Sequence, residues 1–167
     1  MLLASTKGPT MMISTKGRYA MRLMVDIALH AEKTPTSLKE IGMREEMPVK
    51  YLEQLVRPLT KANLLKSVRG QCGGYLLARP ACAITAGDII RAAEGTTAPV
   101  ACLGGTGCPR ASLCPTLPFW RGLDEAIESY VDSVTLADLA FGASDQASDM
   151  RFDDETAHAL DPVVTPV

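Results

Sequence analysis

Aromatic side chains make up only 5% of the 167 residues, too few for the stacked platforms that grip single-stranded nucleic acid or flipped bases. Histidine is scarcer still, present twice. No apolar run approaches the ~20 residues of a membrane span, and residues 1–4 are too short for a secretory apolar region. The expected address is therefore the cytoplasm, with no membrane partner. In that setting five cysteines are read as a metal site or reactive thiols ahead of a disulfide framework. No nucleophile, base and orienting group fall into a set, and no glycine loop is built to hold a phosphate, so an enzyme is not expected.

What is present is an ordinary core-forming composition, 47% hydrophobic, and an uneven distribution of charge. Residues 1–79 carry thirteen Lys or Arg against six Asp or Glu, while residues 80–167 carry four against thirteen. A basic first half is the electrostatic footprint of a surface that neutralises phosphates, and solvated helix faces produce it too, so it needs a motif.

The motif begins with a helix over about 17–31, after Ser14 or Thr15 as N-cap. Ala20, Leu23, Met24, Ile27, Ala28 and Ala31 share one face of it. Pro35 and Thr36 interrupt the chain, and Ser37-Leu38-Lys39-Glu40 forms a capping box for a short second helix over about 38–45. Pro48 suits the first position of a third helix, whose buried face is Val49, Leu52, Leu55, Val56 and Leu59. Pro58 predicts a kink in it. Two short helices joined by a tight turn describe a helix-turn-helix. Lys50, Glu53, Gln54, Arg57 and Lys61 lie on the outer face of the second, with Tyr51 at its shoulder. Glutamine pairs with adenine, glutamate accepts from the cytosine amino group, and arginine or lysine reaches guanine or phosphate.

Residues 64–68 and 75–78 pair as two strands around Arg69-Gly70-Gln71-Cys72-Gly73-Gly74, a glycine-rich turn with a guanidinium at its tip. As a wing it suits a minor groove, whose negative potential favours an inserted arginine; the plain alternative is a hairpin with a flexible tip. Thr85-Ala86-Gly87-Asp88 then caps a short helix holding Ile89, Ile90 and Ala93 that stops at Gly95.

Residues 102–118 contain three glycines, three prolines and three cysteines and fit no regular element. Cys102, Cys108 and Cys114 order such a loop if they wrap one metal centre, and thiolates suit iron–sulfur clusters and zinc alike. Trp120, Leu123, Ile127, Tyr130 and Val134 follow at 3-4-3-4 spacing, the seam of a helix that pairs with another, in its own domain or in a second subunit. Thr135-Leu136-Ala137-Asp138 caps one more short helix. From Gly142 the chain is acidic and without apolar periodicity, which reads as a disordered tail.

The expected fold is mostly α with a small β-hairpin wing. A winged helix-turn-helix domain at 12–95 is followed by a cysteine loop at 96–118, a long dimerisation helix with a short C-terminal helix at 119–140, and the acidic tail at 141–167.

The chain resembles the IscR-type, or Rrf, family of bacterial winged-helix regulators. The resemblance is carried by Ser14-Thr15-Lys16-Gly17-Arg18-Tyr19-Ala20, Lys50-Tyr51-Leu52-Glu53-Gln54-Leu55, Ser67-Val68-Arg69-Gly70, Gly73-Gly74-Tyr75-Leu76-Leu77, Ile84-Thr85-Ala86-Gly87-Asp88-Ile89-Ile90, the three-cysteine loop, Trp120 after it, and Ser133-Val134-Thr135-Leu136-Ala137-Asp138-Leu139. It implies a homodimer on a near-palindromic double-stranded DNA operator that senses redox, iron, nitric oxide or cluster supply. Lys50, Tyr51, Glu53 and Gln54 would face the major groove, Arg69 and Gly70 the minor groove, and Cys102, Cys108 and Cys114 an iron–sulfur cluster. The cluster type, 2Fe–2S or 4Fe–4S, is left open by two departures: Leu117 stands where resembling two-iron members have a histidine, and Arg18 where four-iron members have an aspartate. Two further readings stay in view, a winged-helix regulator controlled by a partner protein with zinc or nothing in its cysteine loop, and a redox carrier for which the basic wing has no purpose. Cys72 beside Arg69 is weighed as a reversible redox thiol and read as incidental, and His30 as a last-turn cation rather than a ligand.

Overall fold

The computed structural model describes residues 14–31, 34–70, 72–103 and 108–142. Ser14 turns its hydroxyl onto the Lys16 amide and starts α1 (Thr15–His30). The expected apolar stripe of this helix is buried throughout, from Ala20 to Ala31. In α2 (Leu38–Arg44) the capping box closes reciprocally. The Glu40 amide donates to the Ser37 hydroxyl at 3.3 Å and the Ser37 amide donates to the Glu40 carboxylate at 2.8 Å. The Ser37 hydroxyl's bond to that carboxylate holds the Glu40 pKa below its ordinary value.

A turn through Glu46, in left-handed backbone at φ 54°, leads to α3 (Val49–Lys61), with Pro48 as its N-cap rather than its first residue. Leu52, Leu55, Val56 and Leu59 are buried as expected, but Val49 is 40% exposed. Side chains of a helix lean toward its N-terminus, so the first residue overhangs the end of the core. Pro58 sits inside the helix, which continues to Lys61.

Strands β1 (Leu65–Val68) and β2 (Gly74–Leu77) form an antiparallel hairpin with Leu65 opposite Leu77 and Val68 opposite Gly74. Thr36, just ahead of α2, adds a third rung: its amide donates to the Tyr75 carbonyl at 3.1 Å and the Tyr75 amide returns a bond at 2.9 Å. After a 3₁₀ turn at Ala81–Ala83, α4 (Ala86–Glu94) starts from a second capping box, Thr85 with Asp88, and ends on Gly95 at φ 89°. A 3₁₀ turn at Ala111–Leu113 precedes α5 (Leu117–Ser133), and α6 (Leu136–Phe141) begins from a third box, Thr135 with Asp138.

One core joins nearly all of this. Leu23, Met24, Ile27, Ile41, Leu52, Leu55, Leu59, Leu64, Leu65, Ile84, Ile89 and Leu136 are fully buried in it, each aliphatic side chain contributing ~1.5–3 kcal/mol by leaving water. Leu136 brings α6 into that core, because the Leu136 amide donates to the Ile84 carbonyl and the Ala86 amide to the Val134 carbonyl, both at 2.8 Å. A second, smaller cluster places Val131 and Ile127 of α5, and Val134 just after it, against Ala86 and Ile90 of α4. The seam expected along α5 is thereby divided. Ile127 and Val134 turn to their own domain with Val131, while Tyr130 is 70% exposed and Phe119, outside the expected seam, 65%. The expected tail lies outside the described residues from 143 onward.

Candidate nucleic-acid interface and cysteine loop

The first helix of the turn, α2, is clamped to α1 by a buried carboxylate. Asp26 of α1 is 2% exposed and accepts two bonds from the Arg44 guanidinium of α2, at 2.7 and 2.8 Å. Asp26's bond pushes the Arg44 pKa up. His30, read from the sequence as a last-turn cation, lies 3.3 Å from the same carboxylate and bonds the Asp26 carbonyl at 2.9 Å through Nδ1. A second clamp joins Arg22 of α1 to Glu45 after α2, through the carboxylate at 2.7 Å and the carbonyl at 2.9 Å. These pairs fix α2, on which α3 packs, and spacing along the sequence does not reveal them.

The outer face of α3 carries Lys50, Glu53, Gln54 and Arg57, all exposed. Among the described residues their side chains make no hydrogen bond or ion pair, so each head group is free to meet a ligand. Tyr51 is different: it is half-buried, with its ring edge-on to Tyr19 at a centroid distance of 5.7 Å. Burial, then the neighbouring Tyr19 and Glu94, push its phenol pKa up, so it stays a neutral donor at the shoulder of the face. Between α3 and the hairpin runs a cleft of about 340 Å³ lined by Val56, Arg57, Thr60, Lys61, Ser67 and Tyr75. The helix and the wing are thus two walls of one surface.

At the tip of the wing Arg69 is exposed and Gly70 takes φ 124°, a conformation that side-chain-bearing residues rarely adopt. The Gly73 amide closes the turn onto the Gly70 carbonyl at 3.0 Å. Gly74 is required for a different reason: a Cβ there would stand 2.4 Å from the Thr36 carbonyl oxygen. Cys72 is exposed beside this turn and Cys82 on the 3₁₀ turn that follows the wing.

The cysteine loop is stitched to α5 at its start, where the Thr97 hydroxyl donates to Glu128. Glu128 also accepts from Arg91 of α4 at 2.6 Å, and the same guanidinium bonds Asp132. Cys102, Cys108 and Cys114 are partly buried free thiols. Cys114 lies just ahead of α5, its sulfur 3.3 Å from the Thr116 hydroxyl. That hydroxyl, then the Thr116 and Leu117 amides, draw its pKa down, as helix N-termini do for thiols. The donor set is chemically suited to a soft metal centre, with three free thiols on one loop and one of them biased toward thiolate. The structure does not draw the three together: among the described residues no three His, Cys, Asp or Glu side chains converge as metal ligands, and residues 104–107 of the loop are outside the described set.

Two helices at a tight turn, a second helix with an unpaired polar face, and a glycine-tipped hairpin beside it define a winged-helix DNA-binding protein. Comparison with known proteins narrows the class. Residues 13–141 match the family model Rrf2, described as iron-dependent transcriptional regulator. The HTH-type transcriptional regulator IscR of Yersinia pseudotuberculosis serotype O:1b (strain IP 31758) is 42% identical over 129 residues, covering 77% of this chain and 79% of that protein. Among solved structures, CymR, the global cysteine regulator of B. subtilis, is 43% identical with a TM-score of 0.64, covering 77% of this chain and 95% of that one. T. potens IscR is 40% identical with a TM-score of 0.62, covering 82% and 90%. The chain belongs to the Rrf2 family of transcriptional regulators, which are DNA-binding proteins and not enzymes. Among the described residues no helix is long and apolar enough to cross a membrane.

Proposed function

We propose that the chain acts as a homodimer on a near-palindromic double-stranded operator and reports redox, iron or nitric oxide status through an iron–sulfur cluster held by Cys102, Cys108 and Cys114. The observation that carries the DNA-binding part is the α3 face, whose Lys50, Glu53, Gln54 and Arg57 have no partner among the described residues and whose Arg57 lines the cleft beside the hairpin. In this reading Glu53 accepts from a cytosine amino group, Gln54 pairs with adenine, Lys50 and Arg57 reach guanine or phosphate, and the Tyr51 phenol donates to the backbone. Arg69 enters the minor groove, where Gly70 lets the backbone approach closely. The working division is a DNA-binding domain at 12–95, the loop at 96–118, the dimerisation segment at 119–140 and the acidic tail at 141–167, in a cytoplasmic protein.

A thiolate-bound cluster, when present, supplies a centre sensitive to oxidation and ligand exchange. The chain's own contribution is the thiol bias at Cys114 and the direct passage of the loop into α5. Exposed Phe119 and Tyr130 on that helix support a second subunit as its cover. Order in the loop then sets the start of α5, and through a dimer the spacing of two recognition helices, ~34–36 Å for half-sites one turn apart.

A second reading, a regulator controlled by a partner protein with zinc or no metal in the loop, is favoured by two observations. The three cysteines do not converge among the described residues, and the chain is as similar to CymR as to IscR. Anaerobic purification with iron and sulfide analysis and an absorption spectrum decides between them. The cluster reading expects a brown protein that loses its spectrum when Cys102, Cys108 or Cys114 is changed to serine and keeps it with serine at Cys72 or Cys82. A colourless protein with neither iron nor sulfide overturns it.

A further inference from the structure

Arg79 stands two residues past β2, at the base of the wing, where the Ala78 amide donates to the Leu64 carbonyl at 3.0 Å. Its guanidinium donates to one carboxylate oxygen of Asp88 on α4 at 2.9 Å. The other oxygen of Asp88 lies 3.7 Å from Arg91, too far for a hydrogen bond and near enough for attraction. Asp88 is thus shared unequally by two arginines.

Arg91 has two closer partners on α5. It donates to Glu128 at 2.6 Å and to Asp132 at 2.5 Å. Glu128 also accepts from the hydroxyl of Thr97, two residues past the Gly95 that ends α4. A continuous line of polar contacts therefore runs from the start of the cysteine loop to the base of the wing, through Thr97, Glu128, Arg91, Asp88 and Arg79. Gly87 makes room for it. Alanine is the better helix former, but a Cβ at Gly87 would stand 2.1 Å from an Asp132 carboxylate oxygen and 2.8 Å from an Arg91 nitrogen, and would push both off α4.

The three carboxylates around Arg91 are about a third to a half exposed, so the guanidinium can turn among them without leaving a buried charge unpaired. It stays with whichever carboxylate is best held, and Thr97 holds Glu128. Withdrawal of Thr97 frees Glu128, turns Arg91 toward Asp88 and draws Asp88 from Arg79.

We propose that Arg91 is a positioning residue for the wing, and that Thr97, at the mouth of the cysteine loop, sets which carboxylate it holds. This rests on the reading of that loop as the sensing element. It gives the loop a route to Arg69 within one subunit, beside the route through α5 and a dimer.

Hydrogen–deuterium exchange at amides 74–78 tests this in the protein as purified, across the unmodified chain, Thr97→Val, Arg79→Met and the double variant. Thr97 and Arg79 share no direct partner, so plain losses of stability from the two changes would add. Thr97→Val is expected to speed exchange at 74–78 about two- to fivefold, the scale of one exposed ion pair. In the Arg79→Met background, where the line is already cut, it should add nothing. Arg91→Met takes the place of Arg79→Met if the latter fails to fold. Unchanged exchange at 74–78 in Thr97→Val, or the same factor in both backgrounds, overturns the proposal. Iron and sulfide analysis of the same samples keeps the two readings apart. A colourless protein that shows the coupling loses the cluster and keeps the role of Arg91, whereas a brown one without the coupling keeps the cluster and loses that role.

Discussion

Replacing Gly74 by alanine separates two opposing effects of known size. Gly74 has no positive φ, so alanine adopts its backbone freely, and with open space around it the change would stabilise the protein by ~0.4–1 kcal/mol through a stiffer unfolded chain. The space is not open. The new Cβ would lie 2.4 Å from the Thr36 carbonyl oxygen, 2.6 Å from its carbon and 3.0 Å from the Ser37 nitrogen. All three are backbone atoms, which cannot swing aside as a side chain would. Relief requires the hairpin to part from Thr36, and with it go the two bonds between Thr36 and Tyr75, together worth ~1–3 kcal/mol net. The clash outweighs the gain, and a net loss of up to ~2.6 kcal/mol is expected.

Gly122 provides the opposite case. It lies within α5 with nothing near its would-be Cβ, so Gly122→Ala should stabilise by ~0.5–1 kcal/mol through helix propensity. Urea denaturation of both variants gives the two signs directly, and an operator titration should show weakened binding for Gly74→Ala alone, because only that change frees the wing. Equal stabilisation by the two substitutions, or a Gly74→Ala protein with undiminished operator affinity, would refute the claim that Thr36 anchors the wing.

Arg69→Ala should weaken operator binding and reduce the slope of log affinity against log salt by about one; an unchanged slope takes Arg69 out of the interface. Asp26→Asn leaves Arg44 without its carboxylate, and since Arg44 is one-third exposed and can turn to water, the cost should fall at or below the ~3–5 kcal/mol of breaking a fully buried pair. If the losses in Asp26→Asn and Arg44→Met simply add in the double variant, the two residues do not act together. Asp132 has its pKa lowered from an ordinary 3.8, first by the Arg91 bond. Its stabilising contribution is thus complete above that ordinary value and disappears as pH falls through the lower folded one. With side chains one-third to one-half exposed the effect is ~1 kcal/mol or less, and Arg91→Met should flatten stability against pH in that acid window. The same pH dependence in both proteins would contradict the pairing.

Features set by neighbouring residues were legible in the sequence. Ser37 with Glu40 and Thr85 with Asp88 cap helices because a donor and an acceptor three residues apart meet at any helix start. The stripe of α1 is buried because 3.6-residue periodicity leaves it one face to bury. The glycines of the wing were legible as a turn, but the reason Gly74 must be glycine was not, since Thr36 lies far off in sequence. The same holds for Asp26 with Arg44 and for Arg91 with Glu128 and Asp132, contacts created only when helices pack. On α5 the spacing identified residues that could share a face, yet periodicity does not say what covers a face. Ile127 and Val134 fell to α4, Val131 joined them, and Tyr130 stayed outside.

The cations show how structure sorts roles that sequence leaves mixed. Arg22, Arg44, Arg79 and Arg91 are all committed to carboxylates inside the fold, and their charge is neutralised before any partner arrives. Lys50, Arg57 and Arg69 make no such pair among the described residues, so each keeps its full charge and hydration, and a phosphate that displaces small counterions gains from it. Lack of a partner alone does not define the site, for Arg18, Arg110 and Arg121 are also exposed and unpaired among the described residues. What distinguishes the first three is location, on the outer face of α3 and at the tip of the wing, whereas Arg18 stands on α1 and Arg121 on α5. Lys50 and Arg57 stand on α3, which packs on the α2 that Asp26 and Arg44 clamp to α1, and Arg69 on a hairpin bonded to Thr36. An unpaired cation on a fixed mount can read a groove at a set register, whereas Arg110, on the irregular cysteine loop, adds charge without register. The buried carboxylate of Asp26 touches no DNA in this arrangement, and still its removal should alter sequence discrimination more than the loss of any one exposed lysine.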